Sequence, residues 1–447
     1  MFLQSYLSRE KIARFIAAVR QEGWRAAFRK LRAYVAMRRA GYGRSALPDP
    51  GHAPAPAPHS APHPEQHLNA FWREIARKEA FHVSQPPAAT TRRRRITMIG
   101  DLNLPQCRKY RVEQVAELWQ AQGVEYDYSH YEDVPRAISL LEGATHLMLY
   151  RTQNGPLNSM YLYEARRLRL PVLYDLDDPL FSVSAYETYE NMKALPEAMK
   201  AHFVAEAPRY LDAINMADIV TVSTPGMREH ARLYTNRPVF FRRNFADSAT
   251  FAAADAALAR TTRDPQAPFR VAFASGSQGH EMDFAVMGDE MAEFLAADPN
   301  RQLVILGHFN PELLPEKLRG QAEVHPFTDY DGYLAALATV DCAVMPLTDD
   351  AFNRCKSAVR VIDAAAVAVP SIVTTIGDMA NVVRDRETGR VLQPGDSWRA
   401  ALEAMAEDRA ATAELGRAAR ADLERRWRGD RDGLPVIEPE ILKWVLE

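Results

Sequence analysis

The sequence has few cysteines and no long apolar stretch. Its three cysteines, Cys107, Cys342 and Cys355, lie far apart and form no CxxC pair and no cysteine–histidine spacing typical of a metal site. We therefore expect isolated, reduced thiols, as in a cytosolic protein. No stretch reaches the roughly 18 apolar residues of a membrane span, and residues 1–11 lack the apolar region of a signal peptide. These absences predict a cytoplasmic location.

An excess of charge of either sign is also missing. The 55 Lys and Arg residues are matched by 58 Asp and Glu residues, which leaves a net charge of −3. Proteins that bind nucleic acid usually carry a marked basic excess, so the composition predicts no nucleic-acid partner. The 447 residues suffice for two to three domains of about 150 residues each.

Basic charge is concentrated near the N-terminus. Residues 9–44 contain eleven Lys or Arg and two Glu, and apolar side chains recur at helical spacing on both sides of Gly23. The pattern predicts two basic amphipathic helices, which either dock on an anionic membrane surface through residues 9–40 or pack on the main body. An Ala/Pro/His-rich tract, residues 45–66, then favours an extended tether over a preorganised metal site, and a short helix is expected near 67–81.

Short apolar runs alternate with helical segments from Ile96 onward, which is typical of parallel sheets with right-handed crossovers. Two such series, separated by the less regular residues 244–268, predict two doubly wound Rossmann-like α/β domains that face a cleft. Ligands are expected at the carboxyl ends of the strands. The predicted strands are 95–101, 124–129, 145–150, 171–175, 218–223, 238–241, 269–275, 302–307, 341–346, 369–374 and 390–393.

These patterns predict five segments along the chain. The last segment, residues 431–447, has apolar residues at helical spacing and is predicted to be a helix. This helix either crosses back to the first domain or packs on the second domain. The segments are a helical extension (1–44), a linker with a short helix (45–94), an N-terminal domain (95–250), a C-terminal domain (251–430) and a C-terminal helix (431–447).

Three carboxylates follow one of the predicted strands, in the stretch YDLDDPLFS. A DxD pair such as Asp175 and Asp177 is one way to hold Mg²⁺ or Mn²⁺ on a diphosphate, because these cations prefer hard oxygen ligands. Alternatively, Asp177 or Asp178 caps the turn that Pro179 ends. The interpretation that we favour is a role in the cleft without metal.

The stretch ASGSQGHEMDF, residues 274–284, joins a predicted strand to a helix. Small residues such as Gly276 and Gly279 let backbone N–H groups approach an anion, and His280 and Asp283 follow them. The stretch contains neither a G-x-G-x-x-G fingerprint nor a Walker loop. It is either an anion site or an ordinary strand-to-helix turn.

Charged residues interrupt the otherwise apolar stretch FNRCKSAVRVIDAAAVAVPSIVTT. If a helix spans residues 357–368, the Lys356 ammonium meets the phosphates of a nucleotide, and Asp363 accepts hydrogen bonds from its sugar about 10 Å further along the axis. The alternative is an Arg360–Asp363 ion pair on an exposed helix face. The surrounding alanine and valine residues argue against exposure.

Residues 96–425, about three quarters of the chain, resemble GT-B glycosyltransferases. The resemblance is closest to the group-one, family four-like retaining sugar-nucleotide transferases that make bacterial surface polysaccharide. FNRCKS is similar to the "fN..Ks" pattern of a subfamily. The pieces that carry the resemblance, in chain order, are DLNLPQCRKYRVEQVAELWQAQGVE, VLYDLDDPLF, ADIVTVSTPGMREH, FFRRNFAD, FASGSQGHEMDF, VDCAVMPLTDDAFNRCKSAVRVIDAAAVAVPSIVT and TGRVL.

The resemblance implies an acceptor site in the first domain and a nucleotide-sugar site in the second. Lys356 is implied to neutralise the diphosphate, and Asp363 matches the second acidic residue of an E-x7-E pair, which contacts ribose. Cys355 stands where the family has the first acidic residue, which contacts the donor sugar. The implied donor-binding residues are Gly276, His280, Asn353, Lys356 and Asp363, with Gly276 and His280 approaching the phosphates.

The function that the resemblance implies is transfer of a sugar from a nucleotide-diphosphate donor to a glycan or lipid-linked acceptor. We expect the reaction to retain the configuration of the sugar and to need no metal or other cofactor. The expected setting is cell-surface polysaccharide assembly on the inner membrane. The candidate catalytic residues are Asp177, Asp178 and Lys356. Two alternatives stay open: a sugar-nucleotide epimerase on the same fold, and a non-catalytic interaction protein in which Cys355 marks lost chemistry.

Overall fold

The structure is a computed structural model that divides the chain into two compact units, Met1–Ala70 and Phe71–Glu447. It describes scattered positions between residues 15 and 35, and then a nearly continuous main body. The described ranges of the main body are 93–261, 266–276, 280–310, 312, 314–429 and 436–447.

The described positions of the first unit are helical on both sides of Gly23. Gly23 has a φ of +83°, a left-handed conformation that glycine adopts without strain and that separates the two helical stretches. The Phe28 ring lies 4.4 Å from the Trp24 ring and 5.5 Å from the Phe15 ring, centroid to centroid. The remainder of the predicted extension, the Pro-rich tract and the helix near 67–81 lie outside the described residues.

The first sheet is entirely parallel and has the strand order β2-β1-β3-β4-β5-β6. Its central strands are buried on both faces, which is why they read as continuous apolar runs in the sequence. The six strands are β1 (Arg95–Gly100), β2 (Glu125–His130), β3 (His146–Tyr150), β4 (Val172–Leu176), β5 (Ile219–Val222) and β6 (Val239–Phe241).

Helices connect these strands on both faces of the first sheet. The connection after β1 contains a π-helical stretch, Arg108–Glu113, between α1 and α2, and a 3₁₀ stretch, Glu190–Ala194, lies between α5 and α6. The helices are α1 (Pro105–Cys107), α2 (Gln114–Ala121), α3 (Val134–Glu142), α4 (Pro156–Arg167), α5 (Val183–Thr188), α6 (Glu197–Met216), α7 (Pro225–Ala231) and α8 (Ser248–Arg260).

The second sheet is also entirely parallel, with the order β12-β11-β10-β7-β8-β9. Its strands are β7 (Phe269–Ser275), β8 (Arg301–Gly307), β9 (Ala322–His325), β10 (Cys342–Met345), β11 (Ser371–Thr374) and β12 (Gly389–Leu392). Its helices are α9 (Glu281–Ala285), α10 (Gly288–Ala296), α11 (Tyr330–Leu337), α12 (Val359–Ala366), α13 (Met379–Val382), α14 (Trp398–Glu407) and α15 (Arg409–Arg426), with 3₁₀ stretches at Glu316–Gln321 and Asn353–Cys355.

The last helix, α16 (Pro439–Leu446), contacts the first domain. The segment before it forms an antiparallel bridge between Ile437 and Arg242, next to β6. Glu438 pairs with Arg228 on α7, and the Trp444 ring lies 5.1 Å from the ring of His146 on β3. None of the helices among the described residues is both long enough and apolar enough to cross a membrane.

The predicted fold class, α/β with two doubly wound parallel sheets, is confirmed. All eleven predicted strands are present, and of the strands in the described part of the chain the sequence reasoning missed only the edge strand β9. The description of residues 244–268 as less regular was wrong, because α8 occupies most of that segment. Its N-cap is Asp247, whose carboxylate accepts a hydrogen bond of 2.8 Å from the Thr250 N–H.

Candidate functional site

Both sheets reverse their strand order at a switch point, where ligands of open α/β sheets bind. In the first sheet the switch lies between β1 and β3, and in the second it lies between β7 and β10. Gly276 directly follows β7, and the loop after β10 leads to Lys356. The topology therefore brings these two predicted donor-site positions to the same edge of the second sheet.

Contacts across the cleft hold the two domains together at this edge. Arg243, just after β6, makes two hydrogen bonds of 2.8 and 3.2 Å to the carboxylate of Asp378. The Asn244 amide donates to the Ser357 hydroxyl at 3.1 Å. Both first-domain residues stand in the FFRRNFAD stretch, and their partners flank the loop that carries Lys356.

The loop that carries Lys356 is fixed through its backbone. The Asp378 N–H donates to the Lys356 carbonyl at 2.9 Å. Gly377 adopts a φ of +71°, and a Cβ there would lie 2.9 Å from the same carbonyl oxygen, so a glycine is required. α12 begins at Val359 instead of the predicted 357, and Lys356 precedes it in an extended conformation.

The Lys356 ammonium lies above two stacked rings. Tyr189 and Phe352 stack with centroids 4.1 Å apart, and Lys356 Nζ is 5.5 and 5.1 Å from them. Burial alone would lower the pKa of Lys356, but Tyr189 and the carboxylates of Asp178 and Asp283 raise it above its usual range. The side chain is therefore a half-buried cation that lies near two aromatic rings and makes no direct ion pair.

Arg360 supplies a second half-buried cation beside Lys356. Its guanidinium donates to the Ala274 carbonyl at the end of β7, at 3.0 Å, and burial lowers its pKa. Among the described residues, no carboxylate lies within ion-pairing distance of either cation. The alternative of an exposed Arg360–Asp363 pair was wrong, because Asp363 has other partners and is 2% exposed. Sequence reasoning did not place Arg360 in the site, although its charge inside an alanine–valine run was the available signal.

His280 is buried beside these cations and pairs with Asp283. Its Nδ1 lies 2.8 Å from Asp283 Oδ2. Burial lowers the pKa of His280 to about 4, so the ring is neutral at pH 7. Burial alone would raise the pKa of Asp283, but hydrogen bonds from His280 and Asn191 lower it to about 2. Asp283 is a site residue that the sequence reasoning named only as part of a helix.

Asn353 is fully buried, and its amide group is used to hold the loop. Its Nδ2 lies 3.2 Å from Asp283, 3.1 Å from the Thr348 carbonyl and 3.0 Å from Asp350. An amide nitrogen has two hydrogens, so these three acceptors already exhaust its donors. The amide nitrogen of Asn353 therefore supports the loop, and a direct contact of Asn353 with a donor stays a prediction.

Asp363 lies on α12 with both carboxylate oxygens occupied. Tyr110, in the π-helical stretch of the first domain, donates to Oδ2 at 2.5 Å, and Tyr330 on α11 donates to Oδ1 at 2.8 Å. Burial raises the pKa of Asp363 to about 6, while these hydrogen bonds and nearby Lys109 act in the opposite sense. Each carboxylate oxygen can accept a second hydrogen bond, so the two tyrosines do not exclude the predicted ribose contact, which stays a prediction.

The three carboxylates at the end of β4 and just after it have different environments. Asp175 is fully buried and accepts two hydrogen bonds from Arg111, at 3.0 and 2.6 Å, and one from Arg242 at 3.1 Å. Asp177 accepts from Arg151 Nη1 at 3.0 Å and from the Tyr150 hydroxyl at 3.0 Å. A metal shared by Asp175 and Asp177 does not fit, because guanidinium groups already hold both carboxylates.

Asp178 is the carboxylate of this group that is open toward the second domain. Its side chain is 28% exposed, and its nearest cation, Arg151, is 3.7 Å away. Burial raises its pKa, and Lys356 acts in the opposite sense. The described residues contain no cluster of three His, Cys, Asp or Glu side chains able to hold a metal ion.

Gly276 and Cys355 occupy contrasting surroundings. A Cβ at Gly276 would meet no heavy atom within 4 Å, so space is open above it; residues 277–279, with Gly279, are outside the described residues. Cys355 is 1% exposed and belongs to an apolar cluster with first-domain residues. Its Sγ donates to the Ala351 carbonyl at 3.3 Å, so it does not replace an acidic side chain.

Comparison with known proteins finds one family match, in the second domain. Residues 269–408 match the family described as "Glycosyl transferases group 1". The matched stretch runs from β7 to α14 and includes Gly276, His280 and Lys356. It supports the predicted enzyme class, a glycosyltransferase. No curated protein matches the chain.

Solved structures show the same architecture at low sequence identity. Sucrose-phosphate synthase from Thermosynechococcus elongatus is 16% identical with a TM-score of 0.50, and the match covers 75% of this chain and 95% of that one. Anabaena HepE in complex with UDP and glucose is 12% identical, with a TM-score of 0.49 and coverages of 75% and 96%. WaaG, a glycosyltransferase involved in lipopolysaccharide biosynthesis, is 13% identical, with a TM-score of 0.47 and coverages of 78% and 99%. The predicted GT-B fold is confirmed. Sequence identities this low do not show which substrate this chain uses.

Proposed function

We propose that the protein transfers a sugar from a nucleotide-diphosphate donor to a glycan or lipid-linked acceptor. The observation that carries the proposal is the pair of half-buried cations, Lys356 and Arg360, at the switch point between β7 and β10. Asp283 acts on both cations, and Asp178 on Lys356, only from beyond ion-pairing distance, and a diphosphate would bring negative charge into direct contact with them. The family match of this domain supports the same donor class.

The chemistry proposed for these cations is stabilisation of the leaving nucleoside diphosphate. Negative charge grows on the diphosphate as the bond to the sugar breaks, and fixed cations in a site that excludes water favour that charge. No metal is needed for this step, and the guanidinium groups on Asp175 and Asp177 support a metal-free site. Of the candidate catalytic carboxylates, Asp178 is the better proton acceptor, because its raised pKa and partial exposure suit that role.

Retention is proposed from the resemblance alone, and the biological setting from the resemblance together with the basic N-terminal segment. Product stereochemistry is measured by proton NMR of the new linkage, and inversion would refute retention. A setting at the inner membrane, in cell-surface polysaccharide assembly, is supported by the basic N-terminal segment. If residues 9–40 bind anionic lipid, deletion of residues 1–66 abolishes sedimentation with phosphatidylglycerol vesicles, and unchanged sedimentation would contradict the membrane role.

The donor site is tested by thermal stabilisation with UDP-, GDP-, dTDP- and CDP-sugars and the free nucleoside diphosphates. Ligands that bind the folded state raise its apparent stability, so one nucleotide family is expected to raise Tm. The shift should be lost in Lys356→Met and Arg360→Met and kept in Arg354→Met, a matched control on an exposed cation that pairs with Asp349. No shift with any of these ligands would refute the proposal.

A second candidate function is a non-catalytic protein on this fold. The observation in its favour is Cys355, which is packed in an apolar cluster where the resembling family has an acidic residue. Binding of a nucleotide sugar without any turnover, in the presence of varied acceptors, would favour this candidate. Release of the nucleoside diphosphate that depends on an acceptor would exclude both this candidate and an epimerase.

A further inference from the structure

Asp283 collects hydrogen-bond donors from three parts of the main body. Besides His280 Nδ1, its Oδ2 accepts from the Asn191 amide at 2.8 Å, and Asn191 belongs to the first domain. Its Oδ1 accepts from the Asn353 amide at 3.2 Å and from the Thr348 N–H at 3.3 Å. A fully buried carboxylate with four donors is ionised, so it has no proton of its own to share.

The partner of an ionised carboxylate must carry the hydrogen. His280 therefore has its proton on Nδ1, pointing at Asp283. Burial and the nearby charges of Lys356 and Arg360 disfavour a second proton, so the ring is neutral and Nε2 keeps a lone pair. Among the described residues, Nε2 has no hydrogen-bond partner.

We propose that Asp283 is a positioning residue that fixes His280 as a hydrogen-bond acceptor for a hydroxyl of the donor's sugar. The inference rests on the proposed function. It also changes the contact that the sequence suggested for His280, because a nitrogen lone pair repels the oxygens of a phosphate. The positive charges of Lys356 and Arg360 act on the pKa of the imidazole, and these two cations are the groups suited to bind phosphate.

The surroundings of Cys355 fit this assignment. A sugar hydroxyl is best bound by an acceptor, and the buried thiol at 355 is turned to the Ala351 carbonyl. His280 stands four positions after Gly276 in the chain, and it is 7% exposed with its Nε2 lone pair unused, so it can supply an acceptor from another element of the same domain. Asn191 belongs to the first domain, so its hydrogen bond to Asp283 links the orientation of the His280 ring to the contact between the two domains.

The first experiment measures the tautomer without any ligand. Full-length protein labelled with ¹⁵N-histidine gives long-range ¹H–¹⁵N correlations of each ring, and His280→Gln assigns the His280 signals. We expect Nδ1 protonated and Nε2 unprotonated at pH 7, with the proton moved to Nε2 or shared in Asp283→Asn. A protonated Nε2 in the parent would overturn the inference.

The second experiment separates a sugar contact from a phosphate contact. Calorimetry compares UDP-glucose with UDP, GDP-mannose with GDP and dTDP-glucose with dTDP, in the parent, His280→Ala and Asp283→Asn. Loss of one neutral hydrogen bond should weaken sugar-nucleotide binding roughly three- to tenfold and change nucleoside diphosphate binding less than twofold. His202→Ala, on the exposed surface of α6, is the matched control and should change neither.

The outcomes are distinguishable. An equal loss for the sugar nucleotide and the free diphosphate would overturn the sugar contact and return His280 to the phosphates. If no nucleotide binds the parent, the proposed function fails and the sugar contact fails with it. The tautomer measurement needs no ligand, so it still decides whether Asp283 fixes the ring.

Discussion

Replacing Asp363 by asparagine should stabilise the protein at neutral pH. The carboxylate is 2% exposed and sits between the hydroxyls of Tyr110 and Tyr330, which belong to different domains. Asparagine has the same shape and no charge. Its oxygen accepts from one tyrosine, and its amide donates to the oxygen of the other, so both partners remain satisfied.

The magnitude follows from the pKa of Asp363. Burial raises it from 3.8 to about 6, so the folded state holds the proton more tightly than the unfolded state does. The difference of about two pKa units is worth about 3 kcal/mol, at roughly 1.4 kcal/mol for each. Above pH 6 the buried charge destabilises the fold by that amount, and the penalty disappears as the pH falls from about 6 to 4.

Urea unfolding of the parent and Asp363→Asn between pH 4 and pH 8 measures this difference. The variant should be more stable by up to about 3 kcal/mol at pH 8, and the advantage should vanish near pH 4. Asp349→Asn, at an exposed carboxylate, is the control and should stay within about 0.5 kcal/mol of the parent throughout. A difference that does not vary with pH, or an Asp363→Asn variant less stable than the parent at pH 8, would refute the reasoning.

Three further predictions concern charge. Asp175→Asn leaves the buried guanidinium groups of Arg111 and Arg242 without a counterion, and should lower the free energy of unfolding by roughly 3–5 kcal/mol in urea titrations. Lys356→Met should weaken nucleoside diphosphate binding roughly 10- to 100-fold by calorimetry, while Arg354→Met leaves it unchanged; equal effects would remove Lys356 from the site. Turnover in EDTA should equal turnover in added Mg²⁺ or Mn²⁺, and a loss in chelator would show that a metal takes part.

The fold was predictable because a buried parallel strand can be recognised from the apolar residues of the strand itself. Most strands of both sheets appear as short β-branched or apolar runs, and the ends of the eleven predicted strands fell within two residues of the observed ones. β9 was missed because its sequence, AEVH, alternates at an edge and is only half-buried. α8 was missed because the alanine run was not read together with its N-cap, Asp247, although the signal was present.

The site was less predictable because its pairings join residues far apart in the chain. Asp363 and Tyr110 are 253 positions apart, and Asp283 and Asn191 are 92 apart. A sequence shows that a carboxylate is unusual where it stands, but the partner that explains it comes from another element. The residue types at positions 356 and 363 were informative for that reason, whereas the role of Asp283 needed the structure.

The charges of the second domain run in one order along its cleft edge. Arg360 reaches the carbonyl at the end of β7, whereas Asp363, one turn further along α12, bonds Tyr330 at the start of α11, which follows β9. In the sheet, β7 and β9 flank β8, so the cations lie over the switch point and the carboxylate lies toward the outer edge. A nucleoside diphosphate has the same order, with charged phosphates at one end and neutral ribose hydroxyls next to them. We therefore expect a nucleotide sugar to bind with its ribose toward Asp363, its phosphates at the cations and its transferred sugar toward His280.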